Sequence, residues 1–204
     1  MRLGVFGGTF DPIHIGHLIL AEHCRDACRL DRVLIVPAGQ PPHKSGRRIT
    51  PAKLRREMVE LAIAGHAAFG VSTIELDRDG PSYSADTLAE LARQHPDAEL
   101  FFLIGADSLL DLPNWYQPSR VLSLATLVVA TRPGSVLPDL APVHSELEHD
   151  RLDAGHRQIV EIPAVHISSG ALRERVAAGQ TIRYLVPRAV ECFIETHKLY
   201  AAEV

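Results

Sequence analysis

Cysteine is scarce in this chain of 204 residues: there are three, Cys24, Cys28 and Cys192. An odd number with no CxxC spacing argues against a disulfide framework and a four-thiolate zinc site, and fits a reducing cytosol. Positive charge is not in excess either, since 21 Lys and Arg stand against 25 Asp and Glu for a formal charge of −4. That balance exerts no general pull on polyanions. Nucleic-acid binding would need a local basic patch, and Arg47, Arg48, Arg55 and Arg56 read instead as a solvated basic rim. Long apolar runs are missing: Leu100 to Ile104 and Leu127 to Ala130 fall far short of the roughly 18 residues that suggest a membrane span. The apolar stretch near the N-terminus is broken by Gly7-Gly8 and Asp11-Pro12, which leaves no signal-peptide core. Internal repeats are absent too. The expectation is a soluble, cytoplasmic protein with neither membrane nor nucleic acid among its partners; oligomeric state stays open, a homo-oligomer included.

What is present is ordinary globular material, 46% apolar and 23% charged, in a length that suits one domain. Short β-branched or aromatic runs read as strands: Leu3 to Phe6, Val33 to Val36, Val71 to Leu76, Leu100 to Ile104, Leu127 to Thr131 and Ile159 to Ile162. Amphipathic patterns between them read as helices over Ile15 to Arg29, Lys53 to Ala64, Ala85 to Arg93, Ala171 to Ala178 and Arg188 to His197. This alternation predicts an α/β fold with a doubly wound, mainly parallel sheet. Strands such as Val33-Leu34-Ile35-Val36 are continuously apolar, as expected where helices cover both faces. Sites in such sheets lie beyond the strand C-termini. Two long loops stand out, Pro37 to Arg48 and Pro133 to Arg157; the first carries Pro41-Pro42-His43-Lys44.

The strongest local signal is Gly7-Gly8-Thr9-Phe10-Asp11-Pro12-Ile13-His14-Ile15-Gly16-His17, which follows a strand and opens a helix. Adjacent glycines let a ligand approach the backbone, while free N–H groups and the helix dipole favour a phosphate there. The segment matches neither the Walker pattern with its lysine nor the dinucleotide GxGxxG pattern. His14 and His17, at i and i+3, point to one helical face and can meet one phosphate. By themselves they also fit a surface pair or half of a zinc site, but no third ligand stands at a recognisable interval.

These residues resemble the bacterial nicotinate-nucleotide adenylyltransferases, within the nucleotidyltransferases that share GxFxPxHxGH. The resemblance spans nearly the whole chain and includes Pro41-Pro42-His43-Lys44, Gly80-Pro81-Ser82-Tyr83-Ser84 with Asp86-Thr87-Leu88, Gly105-Ala106-Asp107-Ser108 followed by Trp115, Arg132-Pro133-Gly134, and Ile167-Ser168-Ser169 with Arg173. It implies one Rossmann-like nucleotidyltransferase domain over residues 1–204, with 165–204 as its C-terminal ATP-phosphate motif and small helical part. The implied reaction transfers AMP from ATP to nicotinate mononucleotide, releasing pyrophosphate. His14, His17, Lys44 and Arg173 would stabilise the transferring phosphates. Gly7, Gly8, Thr9, Phe10, Gly105, Asp107, Ser168 and Ser169 would bind ATP. His43, Thr87, Trp115, Tyr116 and Arg132 would bind the mononucleotide, with Trp115 stacked on the pyridine ring. The family's Ser-Ser-Thr is here Ser168-Ser169-Gly170, one hydroxyl fewer. No acidic cluster resembles a metal cage, so Mg²⁺ is expected to arrive with ATP.

Other acceptors, nicotinamide mononucleotide or phosphopantetheine, are the alternatives within the same chemistry. His14-Ile15-Gly16-His17 also spells the signature of class I aminoacyl-tRNA synthetases, which would bring an RNA partner. The chain has no lysine-serine-lysine counterpart and no room for an anticodon domain.

Overall fold

The computed structural model describes residues 1–42, 49–134 and 157–202. Six parallel strands form one sheet: β1 (Arg2–Gly8), β2 (Arg32–Pro37), β3 (Phe69–Val71), β4 (Glu99–Gly105), β5 (Thr126–Thr131) and β6 (Arg157–Glu161). Their order is β3-β2-β1-β4-β5-β6, so the chain reverses its direction of travel between β1 and β4. That reversal opens a crevice at the C-terminal ends of these two strands, where ligands of doubly wound sheets bind.

Seven α-helices lie among the described residues: α1 (Ile15–Ala27), α2 (Ala52–Ile63), α3 (Ser84–Gln94), α4 (Ala106–Asp111), α5 (Pro118–Leu124), α6 (Ser169–Ala177) and α7 (Arg188–Thr196), with a 3₁₀ turn at Leu112–Asn114. The period-2 geometry of the strands sorts their apolar runs onto two faces. Phe6, Val33, Ile35, Phe101, Leu103 and Val128 pack with α1, α2, α6 and α7 residues such as Cys24, Met58, Leu172, Val190 and Ile194. Leu3, Val5, Leu34, Val36, Phe102, Ile104 and Val129 pack with Leu88, Leu91, Leu109 and Leu122 of α3, α4 and α5. Both faces are covered, as the continuously apolar strands predict. Cys24 and Cys28 are packing residues, and burial pushes the Cys24 thiol up to about 12.

The third strand departs from the sequence reading. It occupies Phe69–Val71, not Val71 to Leu76. Beyond Val71 a turn forms: the N–H groups of Leu76 and Asp77 donate to the Thr73 carbonyl, and the Thr73 hydroxyl donates to the Asp77 carboxylate at 2.6 Å. This local side-chain bond outweighs the β-propensity of the apolar run. Neither α4 nor α5 was anticipated, although Pro118 at the first position of α5 is a recognised start signal. No helix among the described residues is long and apolar enough to cross a membrane.

Candidate active site

The turn from β1 into α1 occupies the crevice. Gly7 and Gly8 serve different ends there. A side chain at Gly7 would meet nothing nearer than Phe102 at 4.0 Å, so its face of the backbone is open to a ligand. A Cβ on Gly8 would come within 2.8 Å of the Phe10 ring. Phe10 is itself buried, with φ of 50°, so its aromatic body belongs to the core and only its backbone is left to meet a ligand.

His14 is the N-cap of α1 and is buried, whereas His17 sits one turn on and is partly exposed. Their rings stack at 3.6 Å and 18°. The His14 N–H donates to Nδ1 of His17 at 3.2 Å, and Phe10 meets the His17 ring edge-on at 5.1 Å. Stack, hydrogen bond and edge contact together fix the orientation of His17. Burial lowers the His14 pKa to about 4, so this imidazole is neutral at pH 7.

A pocket of about 220 Å³ brings His14 and His17 together with Gly105, Asp107 and Arg132. Gly105 ends β4 and caps α4; Asp107, at the second position of that helix, is exposed and is not the cap. Across Gly105 lies a wider cleft of about 640 Å³, lined by Gly7, Gly8, Thr9, Trp115 and Tyr116. Trp115 stands edge-on to Phe102 with centroids 6.0 Å apart, and Tyr116 stacks on Tyr83 at 4.4 Å. Arg132 thus lines the histidine pocket, apart from Trp115, although the resemblance pairs the two on one substrate. Thr87 is buried behind the cleft wall. Its N–H donates to the Tyr83 carbonyl at 3.1 Å, and the residues of this corner that face the cleft are Ser82, Tyr83 and Ser84.

The C-terminal motif clasps the phosphate turn. Ser168 is the N-cap of α6, its Oγ accepting from the Ala171 N–H at 3.2 Å. Ser169 donates its hydroxyl to the Pro12 carbonyl at 2.9 Å, and Arg173 donates from Nη1 to the Asp11 carbonyl at 2.7 Å. Both serine hydroxyls therefore have structural duties as well. Asp11, buried at 4% exposure, accepts from the Tyr200 hydroxyl at 2.7 Å and from the Thr50 N–H at 3.3 Å.

Arg55 corrects the basic-rim reading. It is 1% exposed, and its guanidinium donates to the carbonyls of Thr50, Thr9 and Ala38 at 2.8, 2.7 and 2.6 Å. It ties the phosphate turn to the segment after β2. Neither it nor Tyr200 was singled out from sequence as part of the site, because nothing local distinguishes a buried arginine from a solvated one. His43 and Lys44 lie outside the described residues, as do Arg47 and Arg48.

The Cytidylyltransferase-like family profile matches residues 5–175. The chain is 49% identical over 201 residues to the probable nicotinate-nucleotide adenylyltransferase of Thermomicrobium roseum, covering 98% of this chain and 91% of that protein. It is 46% identical over 202 residues to the probable nicotinate-nucleotide adenylyltransferase of Thermus thermophilus, covering 98% and 100%. Among solved structures, the Plasmodium falciparum nicotinic acid mononucleotide adenylyltransferase complexed with NaAD superposes with a TM-score of 0.76 at 17% identity, covering 98% of this chain and 97% of that one. At that identity the likeness concerns the fold.

Proposed function

The chain belongs to the nicotinate-nucleotide adenylyltransferase family, and on that premise we propose how its own residues perform the family's reaction. The enzyme transfers AMP from ATP to nicotinate mononucleotide, giving deamido-NAD and pyrophosphate in NAD biosynthesis. One observation carries the assignment of sides: two pockets meet at Gly105, with the His14–His17 stack in one and Trp115 in the other. ATP takes the histidine side and the mononucleotide the tryptophan side; the glycine turn lines the tryptophan cleft, so its N–H groups serve the α-phosphate at the junction of the two. Residues 1–204 act as one domain, and the sharing of a core by Leu172, Val190, Ile194 and Phe6 supports counting 165–204 within it.

The nucleophile is a phosphate oxygen. Its second pKa near ~6 leaves it ionised at neutral pH, so no protein base is needed. The Pα–O bond to the leaving pyrophosphate breaks as the new Pα–O bond forms in line, and the protein supplies alignment and donors. His17 is the transition-state donor: its Nδ1 accepts from the His14 backbone, which puts the proton of a neutral ring on Nε2. His14 holds that ring and adds a neutral donor. The N–H groups of Gly8, Thr9 and Phe10 and the N-terminus of α6 at Ser168 and Ser169 receive phosphate oxygens. Arg173 and Lys44 offset the charge that builds on pyrophosphate.

Asp107 and Gly105 bound the adenosine side. Trp115 offers its ring to the pyridine, and backbone donors near Thr87 and Tyr116 take the carboxylate. His43 and Arg132 meet the mononucleotide phosphate, Arg132 by reaching across from the histidine pocket. Mg²⁺ comes with ATP. Among the described residues no three His, Cys, Asp or Glu side chains gather to hold a metal. When bound, it shields the polyphosphate charge. We place the protein in the cytoplasm, a reading supported by described cysteines that form no disulfide.

Pyrophosphate release from ATP with nicotinate mononucleotide, nicotinamide mononucleotide or phosphopantetheine as sole acceptor tests the assignment. Turnover with the first is expected to dominate; preference for either of the others would overturn it.

A further inference from the structure

We propose that Arg55 is a positioning residue for the phosphate turn: by holding the Thr9 carbonyl it keeps the Thr9–Phe10 peptide turned so that the Phe10 N–H is presented to substrate. The inference deepens the proposed function and rests on that turn receiving the α-phosphate of ATP.

Three carbonyls from three segments meet the Arg55 guanidinium, each off a different nitrogen: Thr50 on Nε at 2.8 Å, Thr9 on Nη1 at 2.7 Å and Ala38 on Nη2 at 2.6 Å. Burial of this charge is costly and lowers its pKa, a shift that the charges of Asp11, Tyr200 and Glu75 oppose. Joining β1 to β2 does not require it. The two strands pair as far as Gly8 and Pro37, and the Ala38 N–H donates to the Gly8 carbonyl at 2.8 Å. What that ladder leaves unfixed is the next peptide but one, between Thr9 and Phe10.

This peptide is trans and planar, so its C=O and N–H point in opposite directions and turn as one body. Phe10 has a φ of 50°, in the left-handed region that disfavours a residue with a side chain. A flip of the peptide would carry Phe10 into the extended region, which any residue adopts, and would aim its N–H where the carbonyl now points, at Arg55. A guanidinium donates to a carbonyl and has no acceptor for an N–H, so it opposes the flip. The Phe10 ring is anchored separately, edge-on to Phe6 at 5.4 Å and to His17 at 5.1 Å. Among the described residues no protein group accepts from the Phe10 N–H, which leaves that donor for a ligand.

Thr9–Phe10 is the only Thr-Phe pair in the sequence, so ¹³C-carbonyl threonine with ¹⁵N-phenylalanine gives one NMR peak that reports this peptide alone. The test follows that peak with and without α,β-methylene-ATP and Mg²⁺, and kcat/KM for ATP, in wild type and in Arg55→Met, which fills similar space without a donor. In wild type the Phe10 N–H is expected to shift when the analogue binds. In Arg55→Met the peak is expected to be displaced in the free enzyme and to lose its response, with kcat/KM for ATP down at least tenfold, as for loss of one preorganised donor. A peak that stays in place, or a kcat/KM within twofold of wild type, would overturn the proposal; a fall in kcat/KM with the peak unmoved would leave Arg55 a merely structural residue and overturn it too. If Arg55→Met does not fold, Arg55→Lys replaces it. Its ammonium sits about where Cζ sits, one bond short of Nη1, so the same displacement and a loss of at least threefold are expected, and absence of either overturns the proposal. A wild-type peak indifferent to bound analogue would instead overturn the reading that the turn receives phosphate, and is seen before any variant is compared.

Discussion

The Nη1 of Arg173 donates to the Asp11 carbonyl at 2.7 Å, joining residues 162 positions apart and binding the C-terminal motif to the phosphate turn. The guanidinium thus fixes the turn proposed to receive ATP, and the proposed function asks it to meet the phosphates as well. A lysine has the charge but lacks the fork needed for both contacts. Arg173→Lys is expected to lower kcat/KM for ATP about tenfold or more, read by initial-rate kinetics, with the fold intact by circular dichroism. A value within twofold of wild type would show that charge alone suffices.

His17 is held by a stack, an edge contact and a backbone N–H, so its replacement removes a preorganised donor. His17→Ala is expected to lower kcat by about 10² or more with little change in melting temperature. Retention of over half the wild-type kcat in single-turnover experiments would remove it from the transition state.

Burial of His14 links stability to pH. Unfolded, the imidazole takes a proton near pH 6.5; folded, it does so only near pH 4. Between these values the unfolded chain binds more protons, so stability falls as pH drops from about 6.5 to about 4. Above 6.5 the group is neutral in both states and contributes no slope. The full loss is on the order of 3 kcal/mol. Urea unfolding at pH 7.5 and 4.5 is expected to show a pH-dependent loss smaller by about that amount in His14→Asn than in wild type. Equal losses in both would contradict it.

Gly170 has room for a larger residue. A Cβ there meets only Ser168 Oγ, at 3.9 Å, and its φ is not in the left-handed region. Gly170→Thr restores the hydroxyl present in the family pattern and is expected to tighten ATP binding threefold to tenfold by calorimetry, without loss of melting temperature. Weaker ATP binding at unchanged stability would remove this segment from the phosphate site.

Much of the scaffold was legible because burial on both faces writes long apolar runs: β1, β2, β4 and β5 lie where Leu3, Val33, Leu100 and Leu127 begin such runs. Helices α4 and α5, of six and seven residues, are too short for an amphipathic period to show. In the site, the glycine turn, His14, His17 and Trp115 stood out by motif. Arg55 and Tyr200 did not, because each acts on a partner distant in sequence: Thr9 lies 46 positions from Arg55, and Asp11 189 from Tyr200. A charged residue carries no local mark of whether such a partner will bury it.

If the Trp115 cleft receives the acid form of the pyridine mononucleotide, as proposed, the ratio of kcat/KM for nicotinate mononucleotide over nicotinamide mononucleotide measures it most directly. Donors aimed at a carboxylate lose charge-assisted bonds when an amide replaces it, a difference of more than ~1.4 kcal/mol. A ratio of at least about ten is expected. Equal values for the two substrates would contradict the assignment.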